Sequence, residues 1–528
     1  MKIHKMNLRE SMKNHTDNFV DMDLNLDINT DTDIDHDTDN NSDNNHKKGK
    51  KDKNSLPAIL LRMVVWLLLA CEIAMAMMIG IKVISMEILP MKYLIAIFIL
   101  FLIVNGLVVF FNIRKQGAIP LIVVLVLLCA VFAYGATAIA KVDNTLNKMS
   151  DTHYVTTTYA VAVRKSDPAQ TMSDIKGYSI GYSKDDTNAA EAKNQLGKQV
   201  PSLTYKIFDN ESMAATSLLE ERTQAILIRE ASIEMLSDSE DLAHFADSIR
   251  IVGTIEIKTA SKTRRAEELG DRDTFVVYIS GIDTYGDVTA QSRSDVNIIA
   301  FVNLKTGKMQ LISTPRDYYV QCPLHDYAYD KLTNCGLYGI KCSEDTLEHL
   351  YGETFTIDYY VRLNFSGFMK IIDELGGIDV YNESSFTSVD GMYFEAGDLH
   401  LNGQAALYFA RERKAFRAGD IMRAKHQMAV IKAMISKMTS TAMLKNYSKV
   451  LDAVADSFQT DMPSETIYSL VNYQLDKGTN WQVESFTLEG EGTRSTDAYS
   501  QKGRSTYVML QDEKMIAEAK RLIEENMK

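Results

Sequence analysis

The chain has 528 residues, which is too long for one compact core, so we expect two or more folded units. Its formal net charge of −13 argues against a general nucleic-acid-binding protein, and no nucleic acid is expected among its partners. Five cysteines in this length exclude a small scaffold built on a disulfide framework.

The N-terminal tail, residues 1–55, is predicted to be a disordered cytoplasmic segment. Its stretch DTDIDHDTDNNSDNN alternates Asp with Asn, Thr and His and offers almost nothing to bury. The Asp spacing is similar to that of a calcium loop, but the Gly and the closing Glu of an EF-hand are absent. We therefore favour a plain acidic tail, which ends in the lysine cluster KKGKKDK.

Three apolar stretches follow within residues 56–141, at 59–81, 93–113 and 119–140. Each has roughly the 20 residues that a helix needs to cross the hydrocarbon layer of a membrane. Lys and Arg concentrate before the first stretch and between the second and third, so the N-terminus is predicted to be cytoplasmic and the chain after residue 140 extracellular. A multi-pass cell-membrane protein is therefore expected. Within its first span, Glu72 is either a functional intramembrane carboxylate or, as we favour, a residue that faces the other two helices.

Residues 142–258 are predicted to form a small extracellular α/β accessory domain. Five short apolar runs alternate with amphipathic stretches such as 212–221, a pattern typical of strands and helices in turn. The predicted strands are 159–163, 178–182, 204–208, 225–228 and 249–255. Because this region has no Gly-rich phosphate loop, we expect a spacing or docking role. The charged segment 259–273 is interpreted as a linker to a second domain, residues 274–528.

The first group of candidate functional residues lies at the start of this second domain. Three apolar strands, FVVYIS, VNIIAFVNL and MQLIST, are separated by a polar loop and by the turn KTGK. If they are antiparallel neighbours, Asp283, Arg293, Asp295 and Arg316 gather at one edge of the sheet. Two carboxylates beside two guanidiniums suit a divalent cation next to a phosphate, although loop charges alone equally fit a solvated turn.

The second group lies in LNGQAALYFARERKAFRAGDIMRAKHQ. Arg411 and Arg413 are two residues apart, which places both on the same face of an extended chain. Asp420 is expected to cap a helix on which Arg423 and Gln427, four residues apart, lie on one side. An arginine near a helix start is favoured when an anionic ligand occupies the helix N-terminus, although a surface ladder of ion pairs explains the pattern as well.

Together the two groups predict one site for a polyanion, with a cation on the carboxylates and arginines that grip phosphate oxygens. On the outer face of a membrane, an obvious polyanion is the pyrophosphate of a lipid-linked glycan. Three cysteines, Cys322, Cys335 and Cys342, fall in one short segment beside this site. One disulfide among them is expected in an oxidising location, with its pairing left open and one thiol left over.

The motifs YISGIDTYG, SRSDVNIIAFVN, LISTPRDYYV, DKLTNCGLYG, GGIDV and LNGQAALYFARER followed by GDIMRAKHQ resemble the LytR-CpsA-Psr family. The resemblance is dense over residues 275–438, and three spans before an accessory domain are similar to its streptococcal capsule-type branch. It implies an α/β (α+β) extracellular domain with a central mixed sheet flanked by helices. It also implies an enzyme that transfers a glycopolymer, capsular or similar to teichoic acid, from undecaprenyl pyrophosphate to peptidoglycan through a phosphodiester bond.

The resemblance further implies roles for individual residues. Asp283 and Asp295 are the implied ligands of Mg²⁺ (or Mn²⁺), and with Arg316, Arg411 and Arg413 they form the implied catalytic set. The implied pyrophosphate contacts are Arg293, Arg316, Arg411, Arg413, Arg423 and Gln427. The polyprenyl chain needs an apolar groove, and although core packing explains their spacing as well, the candidates for it are Phe365, Phe368, Ile372 and Met434.

Two other functions stay open. One is a membrane-bound regulator or sensor that binds lipid-linked phosphate without turnover, and the other is a polyprenyl pyrophosphohydrolase in which water replaces the acceptor. The sequence favours transfer over sensing, because a binding protein needs the arginines but has less need of two metal-side carboxylates.

Overall fold

The computed structural model describes residues 55–87, 89–150, 154–184, 186, 188–260, 267–270, 272–285, 287–352, 354–417, 419–440 and 458–527. The predicted acidic tail up to residue 54 and residues 261–266 of the predicted linker lie outside these described residues.

Three long apolar helices open the described chain: α1 (Leu56–Ser85), α2 (Met91–Ile113) and α3 (Ala118–Ser150). All three are long and apolar enough to cross a membrane, as the sequence predicts. Glu72 in α1 is fully buried, and Asn105 Nδ2 of α2 lies 3.5 Å from its Oε1. The carboxylate therefore faces the neighbouring helices, which confirms its expected orientation.

Helix α3 continues well beyond residue 140, where the apolar stretch was predicted to end. Val142 and Leu146 are four residues apart and share one face of the helix. Both pack into the hydrophobic core of residues 267–527, the large domain described below. Asp143 accepts a hydrogen bond of 3.3 Å from the Tyr468 hydroxyl of that domain. The helix extends this far because it has a core to pack against, which the hydropathy of the chain does not reveal.

Residues 154–260, called the accessory domain below, form a five-stranded sheet. Its strands are β1 (Tyr154–Arg164), β2 (Ser179–Ser183), β3 (Thr204–Phe208), β4 (Ala225–Arg229) and β5 (Ile249–Ala260). Its helices are α4 (Ala189–Gln199), α5 (Glu211–Leu219), α6 (Glu230–Leu236) and α7 (Phe245–Ser248). The strand order is β3-β2-β4-β1-β5, with β1 antiparallel to both neighbours and β2 parallel to both of its own. The predicted small α/β unit is confirmed.

The large domain, residues 267–527, follows. Its strands are β6 (Thr274–Ile282), β7 (Ser294–Asn303), β8 (Lys308–Ser313), β9 (Tyr319–Cys322), β10 (Ala328–Lys331), β11 (Tyr359–Asn364), β12 (Ile378–Asn382), β13 (Phe386–Thr387), β14 (Tyr393–Phe394), β15 (Gly397–Leu401), β16 (Phe458–Thr460), β17 (Gln482–Thr487), β18 (Gly490–Ser495) and β19 (Thr506–Gln511). Its helices are α8 (Leu332–Cys335), α9 (Ile340–Tyr351), α10 (Phe365–Glu374), α11 (Gly403–Arg411), α12 (Gly419–Met438), α13 (Ser464–Lys477) and α14 (Glu513–Asn526).

The main sheet of the large domain has the order β16-β11-β6-β7-β8-β17 and is mixed. Its three central strands β6, β7 and β8 are antiparallel neighbours, as the sequence predicts. Ile282 at the end of β6 lies opposite Ser294 at the start of β7, and Ser313 at the end of β8 lies opposite Ile298. The end of β6, the start of β7 and the end of β8 therefore meet at one edge of the sheet.

The main sheet separates two hydrophobic cores, because successive side chains of a strand point to opposite faces. Val277 and Ile298 belong to a core that also includes residues of α10, α11 and α12. Val276 and Ile299 belong to a second core with residues of α9 and α14. A central mixed sheet flanked by helices is therefore confirmed.

Candidate functional site

A cavity of about 440 Å³ lies at the sheet edge where β6, β7 and β8 bring their polar residues together. It is lined by every residue predicted for the cation or the pyrophosphate, namely Asp283, Arg293, Asp295, Arg316, Arg411, Arg413, Arg423 and Gln427. The first four come from the strand ends, and the others from the end of α11, the loop after it and the first turns of α12. The structure thus joins two groups of residues that are far apart in the sequence.

Asp295, the second residue of β7, is held by two donors. Arg316 Nη1 donates to its Oδ2 at 2.7 Å, and Thr333 Oγ1 donates to its Oδ1 at 3.0 Å. Burial alone would raise the pKa of Asp295, but the charges of Arg316, Arg293 and Arg423 outweigh burial and hold this pKa well below its usual range. The carboxylate is therefore ionised at neutral pH.

Asp283 follows the end of β6 and lines the same cavity. Burial, and then the negative charges of Asp295 and Glu234, raise the pKa of Asp283. A positive ion between the two aspartates would relieve this repulsion. Mg²⁺ is commonly bound through one or two carboxylates together with phosphate oxygens, so this pair of residues fits such an ion.

The helical part of the site is organised around Asp420. Its Oδ1 lies 2.9 Å from Arg423 Nη2 and 3.9 Å from Arg413 Nη1. Helix α12 begins at Gly419, so Asp420 lies inside the first turn and is not the residue before it. This corrects the predicted cap: Asp420 holds Arg423, three residues further along the helix.

One wall of the cavity is apolar. It includes Phe365 and Phe368 of α10, and the guanidinium of Arg411 lies 4.4 Å from the centre of the Phe365 ring. The other predicted lipid contacts lie elsewhere: Ile372 and Met434 are buried in the core between the main sheet and its helices. Ile372 is two turns further along α10, where the helix packs against its neighbours. The remaining large apolar residues of the wall are Ile279, Ile282, Val296, Leu363, Leu407, Val430 and Ile431.

Another part of the cavity lining comes from the accessory domain, for which the sequence predicted only spacing or docking. Glu234 Oε2 lies 2.9 Å from Arg293 Nη2, and Asp238 Oδ2 lies 3.3 Å from Arg293 Nη1. Asp238 Oδ2 also lies 2.8 Å from Lys331 Nζ. The acidic run IEMLSDSED at the end of α6 is the sequence signal for this contact. It does not predict the contact by itself, because the run belongs to a different domain from Arg293 and Lys331.

The three cysteines of the large domain converge in one buried cluster beside the site. All are free thiols in the structure, and the Sγ atoms of Cys322 and Cys342 lie 3.2 Å apart. Cys335 contacts Thr346 at 3.5 Å. The segment they enclose includes Thr333, which orients Asp295. Disulfide formation among them stays a prediction.

The fold and the site define a membrane-anchored protein with an arginine-rich cavity on a mixed α/β domain. The model of the LytR_cpsA_psr family matches residues 247–518, just over half of the chain, a range that contains both groups of site residues. The chain belongs to the LytR-CpsA-Psr family.

Known proteins match a little under half of the chain. A polyisoprenyl-teichoic acid–peptidoglycan teichoic acid transferase TagU from Halalkalibacterium halodurans is 32% identical over 237 residues, covering 44% of this chain and 75% of that protein. The protein of the same name from Enterococcus faecalis is 31% identical over 239 residues, covering 44% and 77%. The crystal structure of B. subtilis TagV aligns with a TM-score of 0.41 and 25% identity, covering 48% of this chain and 97% of that chain.

Proposed function

We propose that this protein is a phosphotransferase that moves a glycopolymer from an undecaprenyl pyrophosphate carrier to peptidoglycan. The observation that carries the proposal is a single cavity with five arginines, two adjacent aspartates and an apolar wall. Its similarity to two polyisoprenyl-teichoic acid–peptidoglycan teichoic acid transferases supports the same chemistry. The transferred polymer belongs to the capsular or teichoic-acid-like class.

The cavity suits the two unlike parts of such a donor. Arg316 and Arg423 are largely buried and are oriented by carboxylates, so their guanidiniums meet phosphate oxygens with little loss of side-chain entropy. Phe365 and Phe368 offer apolar surface for the first isoprene units of the lipid. Arg411 lies over Phe365, between the apolar wall and the other arginines, so we assign the junction of phosphate and lipid to this position.

In the transfer step, a hydroxyl oxygen of peptidoglycan forms a bond to the phosphorus next to the glycan, and the bond from that phosphorus to the bridging oxygen breaks. Undecaprenyl monophosphate leaves, and the hydroxyl proton passes to solvent. Mg²⁺ or Mn²⁺ would be held by Asp283 and Asp295 and, when bound, would supply positive charge next to the phosphate oxygens. The arginines orient the diphosphate and stabilise charge on the leaving phosphate.

The proposal also includes an orientation in the membrane. Lysine clusters before α1 and basic residues between α2 and α3 favour a cytoplasmic N-terminus. The accessory and large domains are then extracellular, where peptidoglycan is found. Protease digestion of intact cells tests this orientation, since only an extracellular large domain is cut before the cells are lysed.

The activity is tested with the full chain in detergent, a short-chain prenyl-pyrophosphate-linked glycan, Mg²⁺ and peptidoglycan fragments. We expect a phosphodiester-linked adduct of glycan and peptidoglycan, detected by mass spectrometry. Arg411→Ala is expected to lower its rate at least 100-fold, because a guanidinium on the transferring diphosphate is lost. The matched control Arg417→Ala removes an exposed arginine of the loop that follows α11 and should leave the rate unchanged.

The same assay separates the alternatives. Free glycan phosphate without any adduct, at equal rates with and without peptidoglycan fragments, would identify a pyrophosphohydrolase. Tight donor binding without any product would identify a sensor. Either result would contradict the proposed transfer.

A further inference from the structure

The accessory domain forms part of the wall of the cavity, and its contribution differs in kind from the rest. Its five lining residues are polar or small: Glu234, Ser237, Asp238, Ala243 and Ala246. Glu234 forms an ion pair with Arg293, which itself lines the cavity. The accessory domain therefore adds two carboxylates and a hydroxyl next to a phosphate-binding arginine.

This wall is held firmly against the large domain. The buried Arg229 of β4 donates from Nη1 to the backbone oxygen of Leu337 at 3.1 Å, and Gln501 donates to the backbone oxygen of Met235 at 2.6 Å. Leu337 also packs in the hydrophobic core of the accessory domain. Because Arg229 directly precedes α6 and Met235 lies near its end, these contacts fix the helix, and with it Glu234 near its end and Asp238 just after it, next to the site.

The two carboxylates differ in their ion pairs and in their exposure to the cavity. Asp238 lies between two buried cations, Arg293 and Lys331, and its contacts join the two domains. Glu234 has one contact with Arg293, and 68% of its side-chain surface is exposed. Asp238 is therefore a positioning residue, whereas Glu234 is open to a ligand in the cavity.

A lipid-linked donor has three chemical parts, and the cavity has three kinds of wall. The lipid fits the apolar wall around Phe365, and the diphosphate fits the arginines. The sugar attached to the diphosphate must then extend along the remaining wall, next to Arg293. Carboxylates and hydroxyls are the groups that bind sugar hydroxyls best, because an ionised acceptor makes a stronger hydrogen bond than a neutral one.

We propose that the accessory domain forms the subsite for the first sugar of the donor, with Glu234 accepting hydrogen bonds from its hydroxyl or N-acetyl groups. This inference rests on the proposed function. The wall favours a neutral sugar, since Glu234 and Asp238 would repel a uronic acid placed beside them. The match of the curated relatives covers 44% of this chain, and the family model begins at residue 247, after both carboxylates. Both carboxylates therefore lie outside the part of the chain that the family model matches.

The test compares two probes on the full chain in detergent: farnesyl pyrophosphate, and the same lipid pyrophosphate bearing one N-acetylglucosamine. We measure both dissociation constants by calorimetry and use their ratio, which cancels any effect of a variant on Arg293 and the diphosphate. Wild type should bind the sugar-bearing probe more tightly. Glu234→Ala should weaken its binding about fivefold relative to farnesyl pyrophosphate, the effect of losing about 1 kcal/mol from one hydrogen bond.

The matched control is Glu191→Ala, which removes an exposed carboxylate of α4 in the same domain. It should leave both dissociation constants unchanged, and the Glu234→Asp variant should restore part of the preference. A wild-type protein that binds both probes equally, or a Glu234→Ala variant with an unchanged ratio, would overturn the subsite. If wild type binds neither probe, the proposed function itself fails, so the two failures are distinguishable.

Discussion

Asp283 and Asp295 border the same cavity, but their pKa values are shifted in opposite directions. Asp295 is ionised by its arginines, and its pKa is held low. Asp283 has its pKa raised by burial and by the charge of Asp295. In the absence of a ligand, one carboxylate therefore stabilises the fold, and the other costs free energy when it is ionised.

This difference predicts opposite effects of two conservative substitutions on stability. Asp295→Asn leaves the buried Arg316 without its ionised partner, and we expect the free energy of unfolding to fall by about 3 kcal/mol. Asp283→Asn removes an unfavourable charge and should keep or raise stability at neutral pH. Urea unfolding of the two variants and wild type, without divalent cation, measures both. Equal losses in the two variants would contradict the assigned charge balance.

A further prediction at the residue scale concerns the thiol cluster. Oxidation by an added disulfide, which takes up two protons and two electrons, should link Cys322 to Cys342, because their Sγ atoms are 3.2 Å apart. Cys335 should remain a thiol. Peptide mapping of the protein without reduction, after alkylation in denaturant, identifies the linked pair. A link that contains Cys335 would show a different pairing, and Cys335→Ser should leave the expected link intact.

At the scale of elements, the position of Arg411 depends on how α11 packs against α10. Gly403 at the start of α11 lies so close to α10 that a Cβ atom there would be 2.3 Å from the backbone oxygen of Met369. The Gly403 N–H donates to Asp373 Oδ1 at 2.7 Å, which ties the two helices together. The geometry of this helix pair is therefore set by a residue without a side chain.

Gly403→Ala should push α11 away from α10 and displace Arg411. We expect a loss of about 1–3 kcal/mol in the free energy of unfolding, and a fall in transfer rate, as is typical of overpacking. The matched control is Gly197→Ala in α4, where the new methyl would meet the Tyr205 hydroxyl at 3.4 Å, an ordinary contact. This control should be neutral or slightly stabilising. Thermal unfolding and the adduct assay measure the two effects.

Much of this element-scale arrangement is predictable from the sequence, because it depends on local patterns. Apolar runs separated by a polar loop and a turn predict the three antiparallel strands β6, β7 and β8. In that order, the ends of the first and third strands lie at the same edge, which brings Asp283 and Arg316 together. What the sequence does not predict depends on packing between distant segments. Ile372 and Met434 have the same spacing as cavity residues but face the core. Glu234 reaches the site only because two domains dock.

For the whole molecule, stability is expected to depend on Asp461, which follows β16 at the end of the main sheet. Its Oδ1 accepts a hydrogen bond of 2.8 Å from the backbone N–H of Tyr360, and burial raises the pKa of Asp461 from 3.8 to about 6. Its protonated form is therefore favoured by folding. The contribution of this group to stability is fully present below pH 3.8 and is lost as the pH rises through about 6.

We expect the Asp461→Asn variant to lose less stability than wild type between pH 4 and pH 7, because its neutral amide can accept the same hydrogen bond. Urea unfolding of both proteins across this range measures the difference. Parallel curves for the two proteins would show that Asp461 does not carry this pH dependence. Glu191→Gln, an exposed carboxylate of the accessory domain, serves as the control and should follow wild type.

The continuity of α3 into the core of the large domain has a mechanical consequence. Leu146 is fully buried there, so the same helix that is long and apolar enough to span a membrane also packs against the domain that carries the cavity. A helix is a stiff rod, with a rise of about 1.5 Å per residue. The distance of the cavity from the membrane is therefore set by the part of α3 that extends beyond the apolar stretch. For the proposed transfer, this predicts an acceptor group that lies within that short distance of the membrane.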